Sequence, residues 1–103
     1  LSFPISAALL DACVLAQLST KDSYGYEVTQ ELSSRLRVSE STIYPVLRRL
    51  QTTGQLSTYD QPFQGRMRRY YSLSDQGAVQ LENYRADWKQ FSSNINKILE
   101  KEK

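Results

Sequence analysis

Six apolar residues near the C-terminus, Leu81, Tyr84, Trp88, Phe91, Ile95 and Ile98, recur at spacings of 3, 4, 3, 4 and 3. That rhythm places them on one stripe of an α-helix, at the a and d positions of a heptad repeat. Ser74 is a natural N-cap for this helix, and Asp75 sits favourably at its positive end. A stripe this long needs an apolar surface of similar length to cover it. At 103 residues the chain is a single domain by default, and the helices ahead of this one are short. A second copy of the chain is the simplest cover, with Leu9 or Val14 of the first helix packing there as well. A monomer folding the helix back on itself is the alternative.

The residues ahead of the stripe divide into three helical patterns and a hairpin. The first helix is expected over about 6–18, where Leu9, Leu10, Cys13, Val14, Leu15 and Leu18 make it apolar on more than one side. A polar break, "STKDSYG", precedes a second helix with Val28, Leu32 and Leu36 four residues apart, and Asp22 or Ser23 as cap. A third helix follows "RLRVSES", capped by Ser39 or Ser41. Ile43, Val46, Leu47 and Leu50 form its buried face, and Gly54 marks its end. With Ser41 as cap, Pro45 falls at about the fourth helical position and costs at most one intrahelical bond. Next, "QLSTYDQ" reads as a strand, "PFQG" as a turn and "RMRRYYSL" as a returning strand. On the returning strand Met67, Arg69, Tyr71 and Leu73 share one face, and Arg68, Tyr70 and Ser72 the other. The expected fold is mainly α with a small β-hairpin: a winged helix-turn-helix over 1–73, then a long C-terminal dimerisation helix over 74–103, in one compact unit.

Charge is concentrated in one section. Between Arg35 and Arg69 stand seven arginines, no lysine and two acids, a net of +5 against −3 for the rest. Arginine is the better residue for bidentate contact with phosphate or guanine. The third helix turns Ser39, Ser41, Thr42, Tyr44, Arg48 and Arg49 away from its apolar side. Hydroxyls and free N–H groups at a helix start suit phosphates or base edges, and arginines a turn later reach guanine or backbone. At the hairpin tip Gln64, Gly65, Arg66 and Arg68 are placed for phosphate or the minor groove. Arg69, on the face of Met67 and Tyr71, reads as structural. Double-stranded DNA is therefore the expected partner.

Other chemistries find little support. With one cysteine and no histidine, intrachain disulfides, most zinc sites and every histidine-dependent triad are excluded, and no metal or cofactor is expected. Cys13, on an apolar helix, reads as a small core residue. Paired carboxylates in a fixed motif and a phosphate-cradling glycine-rich loop are both missing, so the chain is not read as an enzyme. No apolar run approaches the roughly 20 residues that span a bilayer. "ISAALLDACVLAQL" is broken by Asp11 and lacks a basic flank, so it is not read as a signal peptide, and a cytoplasmic location is expected.

Four pieces together carry a family likeness: "YGYEVTQEL", "VSESTIYPVLRRLQTTGQL", "GRMRRYYSLSDQG" and the terminal helix with its tryptophan. The chain resembles PadR-type transcriptional regulators, over roughly residues 9–99. A single C-terminal helix resembles the short subgroup of that family. At the wing, Met67 stands where many relatives carry proline or a basic residue. The resemblance implies a homodimeric repressor whose terminal helix packs across to its partner and whose two third helices read a pseudo-palindrome. It also implies a small aromatic effector, a phenolic acid or a planar antimicrobial compound, and a phosphate contact for Tyr24. In a two-fold dimer Trp88 could face its own copy and stack such a ligand; a plain hydrophobic anchor is the other reading. A winged helix that binds protein in place of DNA, or a MarR-like regulator, are the competing functions.

Overall fold

The computed structural model describes residues 3–101. Helix α1 spans Ala7–Thr20, and the Ser6 hydroxyl caps it by accepting from Leu9 N–H at 3.1 Å. After the two-residue strand β1, Ser23–Tyr24, come α2, Gly25–Leu36, and α3, Glu40–Thr52. Strands β2, Leu56–Phe63, and β3, Arg66–Leu73, form the hairpin, and α4, Asp75–Leu99, closes the chain. Ser74 caps α4 as its position suggests, accepting from Gly77 N–H at 3.0 Å.

The core is drawn from every element except β1. Val14, Leu15 and Leu18 of α1 meet Val28 and Leu32 of α2 and Ile43, Leu47 and Leu50 of α3. Leu56, Tyr71 and Leu81 bring in β2, β3 and α4. Two residues expected at a partner interface, Val14 and Leu81, are 0% and 3% exposed within this one chain. They hold the protomer together and have no surface to offer a second copy. Leu9 and Tyr84 remain half-buried.

Several expected boundaries shift, each for a local reason. The cap of α2 is Tyr24, in place of Asp22 or Ser23, because residues 23–24 pair with β3 in extended form (Ser23 with Tyr71, Tyr24 with Tyr70). The wing thus belongs to a three-stranded antiparallel sheet of order β1-β3-β2. The cap of α3 is Ser39, so Pro45 lies in the second turn, with its missing N–H opposite the Ser41 carbonyl. The helix continues through it at the expected loss of one bond. At the other end Gly54, with φ +93°, lets Gln55 N–H reach back to the Leu50 carbonyl at 2.9 Å, a Schellman closure.

The hairpin turn is tighter than "PFQG". Only Gln64 and Gly65 lie between the strands, both at positive φ (50° and 78°), the pattern of a type I′ turn. Pro62 instead sits inside β2 opposite Met67. An edge strand tolerates it, because its missing N–H faces away from the ladder.

Burial fades along α4, from buried Leu81 through half-buried Tyr84 to a largely exposed second half. Its 25 residues measure about 37 Å, and the whole chain extends 63 × 30 × 20 Å. Trp88 is 49%, Phe91 59% and Ile98 69% exposed.

Candidate nucleic-acid interface

Helix α3 is held by its apolar side, so its outer side is fixed in direction. Ile43, Leu47 and Leu50 are buried, and Ser41, Thr42 and Arg48 point to solvent. Ser39 takes the N-cap position, but its hydroxyl caps no backbone N–H. It lies 3.0 Å from the Ser41 hydroxyl and 2.8 Å from that of Thr42. Three hydroxyls thus cluster at the positive end of α3, each able to turn its proton toward an acceptor.

Tyr44 is half-buried over Gly25, where a Cβ would stand 3.2 Å from its ring. Glycine at the start of α2 is what lets α3 approach this closely. Arg49 departs from expectation. Its Nη2 donates to Asp11 Oδ1 of α1 at 2.6 Å, and this bond holds the guanidinium even more firmly protonated than usual. The Asp11 side chain is only 12% exposed. Arg49 is therefore a strut between α3 and α1. Of the adjacent arginines, only Arg48 has no ion pair among the described residues.

The wing is ordered by stacking. Tyr59 and Tyr70 lie parallel across β2 and β3 with centroids 5.5 Å apart, and Tyr24 meets Tyr70 edge-on at 5.7 Å. The Tyr59 hydroxyl donates to Asp22 at 2.8 Å, which raises its pKa. Arg68 lies over this face, and Arg66, Gln64 and Gly65 form the exposed tip. Arg69 points to the opposite face and pairs with Asp60 at 3.6 Å, as its alternation suggests. The alternation of β3 could have placed Phe63 beside Arg68, but the assignment of 62–65 to a turn hid it. Nothing local in the sequence marks Asp11 as the partner of Arg49.

Three helices with the third presented outward, followed by a basic hairpin, define a winged helix-turn-helix regulator of transcription. A family model, "Transcriptional regulator PadR-like family", matches residues 14–83. The chain belongs to this family, whose members are DNA-binding regulators of transcription and not enzymes. It is 40% identical to a Streptococcus mutans protein of known crystal structure, over 97% of this chain and 94% of that one, with TM-score 0.89. A PadR-like transcriptional regulator from Bacillus cereus is 33% identical, covering 91% and 94% of the two chains at TM-score 0.84. A transcriptional regulator of Mycobacterium tuberculosis is 36% identical over 69 residues, 66% of this chain and 64% of its own. No helix among the described residues is long and apolar enough to cross a membrane.

Proposed function

We propose that the chain acts as a homodimeric repressor whose grip on DNA is released by a small aromatic effector. The observation that supports this most directly is the largely exposed second half of α4. Trp88, Phe91, Ile95 and Ile98 form an apolar stripe that the chain's own body covers only in part. Isolated apolar residues at a surface are ordinary, but a heptad stripe is a complementary surface for a second copy. Leu9 and Tyr84 flank it, whereas Val14 and Leu81 work from inside. Two-fold pairing would carry two reading heads, suited to half-sites about 34 Å apart on one side of a duplex.

On each head Ser39, Ser41, Thr42 and Arg48 face the major groove, with Tyr44 beside them. Gln64, Gly65, Arg66 and Arg68 of the wing, and Tyr24 at its root, meet backbone and minor groove. For the effector, α1 and α4 enclose an open apolar groove of about 340 Å³, with Leu9, Ala12, Cys13, Tyr84 and Trp88 on its walls. A planar aromatic compound would stack on Trp88 there. It changes DNA affinity only if it prefers one spacing of the two heads.

Light scattering on the purified chain, with selection of bound fragments from its own genome at two salt concentrations, tests this reading. A dimer enriching a two-fold-symmetric sequence at both salts is the expected result. A monomer that binds only at low salt, with no shared sequence, would overturn it. Trp88 is the sole tryptophan, so its fluorescence reports effector binding; a panel of planar aromatics that leaves it unquenched removes the effector from the proposal.

A further inference from the structure

We infer that Arg68 is the fixed anchor of a clamp for one backbone phosphate on the tip-side half of the wing, with Phe63 and Tyr24 as its positioning residues. This rests on the wing lying against DNA as proposed above, and it assigns Arg68 a role unlike that of the arginine at the tip.

The guanidinium carbon of Arg68 lies 4.1 Å from the centroid of the Tyr24 ring and 3.7 Å from that of Phe63. Two aromatic rings thus pack against the one cation. The platform is itself braced, since Tyr24 abuts Tyr70, Tyr70 stacks on Tyr59, and Tyr59 is tied to Asp22. Among the described residues Arg68 has no carboxylate partner, while its neighbour Arg69 is paired with Asp60. A guanidinium carries all its N–H groups in its own plane. The rings hold the cation without using those donors, and an edge of parallel donors matches two oxygens of a phosphate.

The position suits the role. Tyr24, Gly25, Tyr44 and Arg68, together with the Asp60-paired Arg69, border one cleft where the start of α2, the middle of α3 and the wing converge. A phosphate seated there would be held between reading helix and wing, fixing the angle between them. Arg66 has neither stacking partner nor ion pair among the described residues. It can follow a phosphate wherever the duplex puts one. Arg68 spends no side-chain freedom on binding, because folding has already spent it.

Lysine keeps the charge but has neither plane nor fork. Binding of a fluorescent operator duplex, measured by anisotropy across a salt series, therefore separates the two arginines. Arg68→Lys should lose about tenfold in affinity with an unchanged salt slope, as expected for loss of one bidentate pair. Phe63→Leu should do the same while leaving every charge in place. Arg66→Lys should stay within about twofold, and Arg68→Ala should flatten the slope by about one phosphate. Melting curves accompany each variant. If Arg68→Lys and Arg66→Lys bind alike, the clamp is wrong, whether or not Phe63→Leu folds. If the lysine variant melts lower yet binds DNA unchanged, the aromatic contacts only stabilise the wing, and the clamp is again wrong. Failure of the wild-type chain to bind any duplex would instead sink the DNA-contact reading, and the clamp with it.

Discussion

Replacing Arg49 by alanine removes the only side-chain partner of Asp11 among the described residues. As a residue Asp11 is 8% exposed, so water can re-solvate its carboxylate only partly. A hydrogen bond to a charged group contributes about 1.5–3 kcal/mol, more when its loss strands a buried charge. Half of the Arg49 side chain is exposed, which places this pair toward the lower end. Arg49→Ala should therefore cost about 2 kcal/mol, or about 10 °C in Tm for a chain of this size. The opposite truncation is milder. Asp11→Ala leaves a guanidinium that can swing into water, for a cost below about 1 kcal/mol. The double variant should resemble Asp11→Ala alone, giving a coupling of about 2 kcal/mol in magnitude. Urea denaturation followed by circular dichroism, at one protein concentration throughout, supplies these numbers. The DNA arm runs in parallel. Arg48→Ala should lower the salt slope by about one, and Arg49→Ala should leave the slope of the folded protein unchanged. The reasoning fails if Arg49→Ala melts within about 1 °C of wild type and flattens the salt slope as Arg48→Ala does. Arg49 would then reach DNA in spite of Asp11.

Two further outcomes follow from the packing and the titrating groups. A Cβ at Gly77 would overlap the Gln55 carbonyl and stand 2.7 Å from Leu73 Cδ1, so Gly77→Ala should push α4 off the root of the hairpin. A loss of about 2–3 kcal/mol in chemical denaturation is expected; wild-type stability would show that α4 docks differently. Burial raises the pKa of the Cys13 thiol, and the bond to Asp22 raises that of the Tyr59 hydroxyl. Both groups keep their protons longer in the folded chain, so the unfolded chain deprotonates first as pH rises. Their contribution to stability is complete well below about pH 8.5, where the unfolded thiol is half-titrated, and declines as pH rises through that value. Cys13→Ser should remove the earlier part of that decline, and an unchanged profile in this variant would rule the thiol out.

The fold was legible because its signals are periodic. Leu81 through Ile98 mark a heptad, Ile43, Leu47 and Leu50 mark one face of α3, and the alternation of β3 separates Arg68 from Arg69. Errors arose where a periodic signal leaves an even choice. Val14 and Leu81 are apolar at helical spacing, which says that they are buried and not by which chain. Residues 23–24 are too short a strand to show alternation, and they become one only because Tyr70 and Tyr71 lie alongside. Pro62 resembles a turn residue until β2 proves to be an edge.

The charge count hides a similar choice. Of the seven arginines between 35 and 69, the structure ties Arg35 to Glu31, Arg49 to Asp11 and Arg69 to Asp60. Two of those acids, Asp11 and Glu31, lie outside the basic section, so the count there overstates what is free to meet phosphate. Arg37, Arg48, Arg66 and Arg68 have no ion pair among the described residues. They occupy the turn before the reading helix, its middle, the tip of the wing and the third pair of its ladder. A diffuse basic face would give a salt dependence spread over all seven arginines. An interface built on the untethered four should lose slope only when one of those four is removed. Adjacent residues make the comparison sharpest, since Arg48 and Arg49, or Arg68 and Arg69, differ in sequence by one position and in fold by whether an acid already holds them.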